Sequence, residues 1–454
     1  MIERPQACQP ETAILELGDE FYDPVAAANF PQTLLRFRND RAAAQVGLQH
    51  LDDAGWIRHF GRFVPLPGSL DTPLALRYHG HQFRVYNPEI GDGRGFLFAQ
   101  LRDADGRLMD LGTKGSGTTP WSRSGDGRLT LKGGVREVLA TEMLEALGVP
   151  TSRSFSLIET GEALQRGDEP SPTRSAVLVR LNHGHIRIGT FQRLAYHRDA
   201  ENMLRLVHYV LRHYYNEQPG DDAPARLLAL VVGRTARLAA SYMAAGFVHG
   251  VLNSDNINVA GESFDYGPWR FTPDWNPAFT AAYFDHAGLY AFGRQPEAIH
   301  WDVAQLAVSL RLLSPAEPLI AALDQFGDLY QPEVARALMW RLGLSARDPA
   351  SDRALIQTME PVLRATGAPL DQFFFDAFGG QLPDTYGEQW SDVRAALQAC
   401  SPRASRDNVY WAGTPCGMQI DEVEAIWAAI DQADDWAPFN AKIAAIRAMG
   451  AALA

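Results

Sequence analysis

The chain has 454 residues, 46% of them hydrophobic and 21% charged, long enough for two or three domain-sized units and apolar enough to bury a core. Its net charge of −13 argues against a general nucleic-acid or anionic-membrane surface, since both need an outward cationic face. A phosphate site here must be a local concentration of Lys and Arg. The three cysteines, Cys8, Cys400 and Cys416, have neither metal-site nor disulfide-framework spacing, which suits a reducing compartment and leaves a Cys400–Cys416 bridge open.

Residues 1–20 carry acidic residues and prolines where a secretory leader needs a basic start and an apolar run. No apolar stretch reaches the roughly 18 residues that span a bilayer. The expectation is a cytoplasmic protein with no membrane and no nucleic-acid partner.

In chain order, Gly95–Leu101 and Leu108–Leu111 read as strands of a hairpin around the turn Asp103–Gly106. A helix is predicted from about Gly134 to Leu147, with Val135, Val138, Leu139, Met143 and Leu147 near one face and Gly148 and Pro150 as its stop. Phe155–Ile158 and Ser175–Val179 make a second strand pair around a polar loop from Gly161 to Pro172. Long helical patterns follow at Met203–Tyr215 and Ala225–Ala245. A short hairpin is predicted over Ile257–Asp265, and Tyr266–Gln295 reads as an activation-type loop rather than a packed element. After Pro296 the pattern is helical, with an irregular insert at Arg403–Gln419. The fold class is α+β: a β-rich lobe with an N-terminal extension over 1–190 and a helical lobe over 191–454.

The most informative segment is His249-Gly-Val-Leu-Asn-Ser-Asp-Asn256, followed by Asp265-Tyr-Gly267. Kinase catalytic loops read H-x-D-x-x-x-x-N, the Asp taking the substrate hydroxyl proton and the Asn holding metal, with a second Asp before a glycine binding metal against phosphates. Val251 stands where that base belongs, and an isopropyl group accepts no proton. Asn256 and Asp265 retain the metal-ligand chemistry, and Asp255 offers a carboxylate in a new place. His249 reads as a residue that packs and hydrogen-bonds the loop, and Asn253 as a loop-shaping side chain.

Lys114, after a predicted strand, and Glu137, on the next helix, match the kinase arrangement that holds an ammonium against nucleotide phosphates. Gly91, Gly93 and Arg94 form a glycine-rich turn, as do Asp126 and Gly127. Each is explained as well by tight-turn chemistry as by nucleotide contact. Arg180 and Arg187 flank a segment with His183 and His185. The histidines lack a third metal ligand and read as loop or core residues. The arginines are candidates for phosphate recognition where the two lobes meet.

These residues together resemble the selenoprotein O family of protein-kinase-fold pseudokinases that act as protein adenylyltransferases. The matching runs are Gly80-His-Gln-Phe83, Gly91-Asp-Gly-Arg-Gly95, Lys114–Arg123, Gly125–Arg128, Arg136-Glu137, His185–Phe191, His249–Asn256 and Asp265–Pro268, covering roughly residues 20 to 310. The resemblance implies an ATP bound in reversed orientation, with AMP passed to Ser, Thr or Tyr hydroxyls of proteins, including the chain itself, and pyrophosphate released. Use of UTP is reported in the family. It further implies that Lys114, Arg180 and Arg187 hold the β- and γ-phosphates. Gly91, Gly93, Arg94, Asp126 and Gly127 would line the nucleotide site, Asp255 would accept the proton, and Asn256 and Asp265 would bind Mg²⁺ or Mn²⁺. Family members often place a cysteine in the activation-type loop; here Phe279–Tyr283 has none. Arg84 and Lys132-Gly-Gly134 also depart from the pattern. The competing expectations are a γ-phosphoryl-transferring kinase that uses Asp255, and a nucleotide-binding scaffold without turnover.

Overall fold

The structure is a computed structural model that describes residues 7–454 other than 168, so part of the leader reading lies outside the described residues. Its strands are β1 (Gln9–Glu11), β2 (Tyr22–Pro24), β3 (Leu34–Arg38), β4 (Leu74–Leu76), β5 (Gly80–Gln82), β6 (Val85–Asn87), β7 (Leu97–Arg102), β8 (Leu108–Lys114), β9 (Leu129–Thr130), β10 (Arg153–Leu164), β11 (Thr173–Asn182), β12 (Phe247–Val248) and β13 (Arg270–Phe271). The helices are α1 (Asp40–Gln45), α2 (Asp53–Phe60), α3 (Leu131–Ala146), α4 (Ile188–Tyr196), α5 (Ala200–Tyr215), α6 (Ala223–Ala245), α7 (Gln295–Leu310), α8 (Ala316–Leu323), α9 (Phe326–Arg341), α10 (Pro349–Thr366), α11 (Leu370–Ala377), α12 (Ser391–Gln398), α13 (Ile420–Ala433) and α14 (Ala437–Leu453). The fold is mixed, with one large antiparallel sheet in the first half and helices dominating the second. The sheet runs β2-β4-β7-β8-β11-β10-β3, with β1 added to β7 and β9 to β11.

Ala176-Val-Leu-Val179 is apolar without interruption because both faces of β11 are covered. Side chains alternate across a strand, so Ala176 and Leu178 join the core with Val135, Val138 and Leu139 of α3. Val177, Val179 and Leu181 join Trp56 and Phe60 of α2. The same alternation puts Arg180 on the α3 side. On β8, Leu108 belongs to the α3 core and Met109 and Leu111 to the α2 core, so Lys114 shares the α3 face too. The register Leu178↔Lys114 and Arg180↔Gly112 then sets the two cations side by side.

α3 begins earlier than predicted, at Leu131, because the Thr130 hydroxyl accepts the Gly133 amide as an N-cap. Gly134 lies so close to Leu157 that a Cβ would strike it, which explains a glycine inside this helix. The C-terminal helices brace α3: Arg447 on α14 donates to Glu142 at 2.8 Å, and Lys132 pairs with Glu424 on α13 at 2.6 Å.

Four expectations need correction. Ile257–Asp265 forms no hairpin: Asn258 bridges to Arg187 and Ser263 to Thr151, so its two limbs pair with other parts of the chain. Tyr266–Gln295 is irregular but packed, because Trp269, Phe271 and Tyr290 join the core with α6 and α7, and Trp275 and Phe292 join a second core with α9 and α11. By length and average hydropathy α6 qualifies as membrane-spanning, yet 72% of that window is buried inside the protein, as befits a central core helix. The polar loop after Gly161 is also shorter than predicted, since β10 continues to Leu164. Cys8, Cys400 and Cys416 are all free thiols.

Candidate active site

Lys114, Arg180 and Arg187 converge on Asp265. The Lys114 ammonium is paired with Glu137 on α3 and lies 2.8 Å from Asp265 Oδ1. Arg180 reaches the same oxygen at 3.4 Å, and Arg187, at the N-terminus of α4, approaches Oδ2 at 3.7 Å. All three cations are buried, and both guanidinium groups lie over the Phe264 ring, at 5.6 and 4.8 Å. Burial by itself would raise the Asp265 carboxyl, but the three cations hold it well below the usual carboxylate range. Asp265 has φ of 64°, a left-handed conformation uncommon for a residue other than glycine and frequent where function fixes the backbone.

The loop after His249 is tied down from several directions. His249 bonds through Nε2 to the Phe264 carbonyl at 3.0 Å, and its amide donates to Gln295, so it holds the residue next to Asp265 and no reacting group. Asn253 Oδ1 accepts from the Phe83 amide at 3.0 Å and from the Tyr290 hydroxyl at 2.8 Å. Ser254 accepts the His81 amide at 2.7 Å and donates to Gln192. The β5–β6 hairpin is thus a clamp over the loop. Sequence reasoning gave its Gly80-His-Gln-Phe83 run no such role, because the contact joins residues some 170 positions apart.

Asp255 lies beneath this clamp. Burial pushes its carboxyl up to about 6, against the opposing pull of Arg187, and Oδ1 has no hydrogen-bond partner among the described residues. Arg187 Nη1 donates to the Asp255 carbonyl at 2.9 Å, linking the loop to the cation cluster. Gly80 is required here: a Cβ would stand 2.9 Å from Asp255 Oδ1.

A cavity of about 620 Å³ opens from the cation cluster. Gly91, Gly93, Arg94, Lys114, Asp126, Gly127, Arg180, Arg187 and Asp265 all line it, whereas Glu137, Asp255 and Asn256 stand outside its lining. Gly91 and Gly93 are glycines because Trp121 packs on them: a Cβ would lie 2.5 Å from its ring at the first and 2.9 Å from its carbonyl at the second. Asp126 accepts the Arg128 amide in a turn around Gly127 and pairs with Arg166 at 2.7 Å. Asp92 is the residue sequence reasoning passed over within this group: it pairs with Arg187 at 3.2 Å. Arg94 lines the cavity with no ion pair among the described residues. His183 and His185 are buried core histidines; His183 Nδ1 meets the Leu108 carbonyl at 2.7 Å.

The model of the family described as protein adenylyltransferase SelO matches residues 6–411. The chain belongs to the SelO family. Among curated relatives, the protein nucleotidyltransferase YdiU of Synechocystis is 42% identical over 95% of this chain and 96% of its own length. Its Gloeobacter violaceus counterpart is 43% identical over 96% and 94%. That of Synechococcus elongatus is 49% identical over 85% of this chain and 78% of the relative.

The SelO-family site fits a divalent cation delivered with a nucleotide. Asn256 Nδ2 donates to the Val251 carbonyl at 3.0 Å, which leaves Oδ1 without a hydrogen-bond partner among the described residues, and Asp265 is ionised. Both present hard oxygen atoms of the kind a divalent cation takes. No cluster of three or more His, Cys, Asp or Glu suited to hold a metal occurs among the described residues. Two protein ligands with the remainder supplied by phosphate and water is the usual Mg²⁺ arrangement.

Proposed function

We propose that this chain is a protein adenylyltransferase on a two-lobed, protein-kinase-like fold, with residues 1–190 as the extension and β-rich lobe and 191–454 as the helical lobe. ATP is the substrate, and UTP is a second candidate. The buried Lys114, Arg180 and Arg187 take the β- and γ-phosphates, and Gly91, Gly93, Arg94, Asp126 and Gly127 line the nucleotide. Asn256 and Asp265 hold Mg²⁺ or Mn²⁺, which when bound supplies charge neutralisation at the phosphates.

The protein hydroxyl oxygen attacks the α-phosphorus, the bond from that phosphorus to the oxygen bridging the β-phosphate breaks, and pyrophosphate leaves. Asp255 accepts the hydroxyl proton, with its burial keeping it a stronger base than an exposed aspartate. Glu137 orients Lys114 and takes no part in bond making.

The observation that carries this reading is the pair of buried arginines, 4% and 3% exposed, around a buried lysine. Buried, fixed guanidinium groups favour charge developing on a departing pyrophosphate, whereas γ-phosphoryl transfer needs the γ-phosphate exposed to a protein hydroxyl. The absence of a base at Val251 supports the same choice. The test is incubation with Mg²⁺ or Mn²⁺ and ATP labelled at either the α- or the γ-phosphate. Incorporation of α-label into protein is expected; γ-label without α-label means a kinase, and neither label means a scaffold.

A further inference from the structure

A second concentration of cations lies away from the nucleotide cavity. A cavity of about 790 Å³ is walled by the β7–β8 turn, the end of α3, the α5–α6 connection, α6 and the turn Ala260–Glu262. It shares no lining residue with the nucleotide cavity. Six arginines line it, Arg102, Arg107, Arg153, Arg212, Arg234 and Arg237, against the acids Asp105, Glu145 and Glu262. In a chain of net charge −13 such an excess is a local feature, not a general one.

Four of these arginines have carboxylate partners: Arg102 with Glu11, Arg107 with Asp103, Arg153 with Glu145 and Arg212 with Glu16. Arg234 and Arg237 form no ion pair among the described residues. Three positions apart on α6, they share a helix face, where like charges repel. Partial desolvation and then Arg336 lower the Arg237 pKa, Glu333 pulls it back up, and Arg234 lowers it further. Arg234 rests on the Tyr215 ring at 5.8 Å, which positions it. The cavity therefore presents two guanidinium forks with no carboxylate in ion-pair contact among the described residues, beside four arginines that have such partners.

We propose that this cavity binds a small polyphosphate-class anion. The guanidinium fork matches phosphate oxygens two at a time, and several forks converging on one concave surface suit a ligand bearing several phosphate groups. The floor of the cavity is the turn that joins Asn256 to Asp265. Glu262 in that turn accepts the His183 amide at 2.8 Å, and His183 lies on the connection between Arg180 and Arg187. A bound anion would sit against the strap that carries the metal ligands.

The experiment is calorimetric titration of tripolyphosphate into the metal-free full-length protein. Two tripolyphosphate ions per chain are expected for the wild type, one in each cavity. Arg234→Gln/Arg237→Gln should retain one and weaken the other by roughly ten-fold or more, one charge-assisted bond being worth about a decade. Both residues are exposed, so its melting temperature should match the wild type. Arg107→Gln, at a different wall, serves as the second variant and should weaken the same ion. A wild type whose only bound ion is displaced by ATP, or an α6 variant that binds two with unchanged affinity, overturns the proposal. A single ion that ATP leaves in place counts instead against tripolyphosphate in the nucleotide cavity, the reading on which the two-ion expectation rests. Citrate binding as tightly as tripolyphosphate would overturn the phosphate assignment.

Discussion

Replacing Arg180 and Arg187 together by alanine separates a leaving-group pocket from a merely structural pair. A hydrogen bond to a charged group contributes about 1.5–3 kcal/mol, so two lost guanidinium groups represent about 3–6 kcal/mol of phosphate binding. The free protein reduces this difference. Both arginines already approach Asp265, at 3.4 and 3.7 Å, and Arg187 also pairs with Asp92, so phosphates replace existing partners rather than water. The lower end is therefore expected: ATP affinity falls about 10²-fold, at about 1.4 kcal/mol per decade. ADP, which has one phosphate fewer to meet the cations, should lose less, and AMP and adenosine should change little. AMP transfer should fall by more than binding, because the arginines act most strongly on charge that develops as pyrophosphate departs. Removing one partner from a buried pair costs about 3–5 kcal/mol of stability, so the melting temperature must be followed in parallel, with Arg180→Lys/Arg187→Lys as a charge-retaining companion. Isothermal titration with ATP, ADP, AMP and adenosine reads the result. An equal loss across all four in a folded variant would refute the phosphate assignment.

Asp255 yields a prediction in pH. Its carboxyl titrates at about 6 in the fold against an ordinary value near 3.9, so the protonated form is favoured by folding. That contribution is complete below pH 4 and is lost as pH rises through 6; Asp255→Asn should then stabilise the protein at pH 8 by about 2–3 kcal/mol and leave it unchanged at pH 4, as read by denaturant titration. The same variant should slow AMP transfer by about 10²–10⁴-fold without weakening ATP, and an unchanged rate would remove Asp255 from the mechanism. Asp265→Ala should abolish transfer and metal-dependent ATP binding, with Asn256→Ala a weaker version, measured by label incorporation across a Mn²⁺ titration. Trp56→Ala should cost about 3–5 kcal/mol in a melt, since Trp56 is fully buried, stacked on Phe155 at 4.8 Å and bonded to Ser156.

Residue type and spacing along the chain were sufficient for what is local. The gap at Val251, the pairing of Asn256 with Asp265, the strand starting at Leu108, which runs on to Lys114 beyond its expected end at Leu111, and the helix carrying Glu137 are short-range patterns, and the long apolar periodicities of α5 and α6 are equally legible. Partner choice was not. Ile257–Asp265 has the composition of a hairpin, yet its limbs pair with Arg187 and Thr151 because those strangers present better-placed backbone groups than the limbs present to each other. The aromatic run after Tyr266 looks like an open loop until the core that takes up Trp269 and Phe292 exists. Asp92 on Arg187, the β5–β6 clamp on Asn253 and Ser254, and the C-terminal helices bracing α3 all join residues distant in sequence. The electrostatics follow the same division. Lys, Arg and Asp are named by the sequence, but an aspartate held well below its ordinary range at 265 and another raised to about 6 at 255 arise from burial and neighbouring charge, and only tertiary packing sets those.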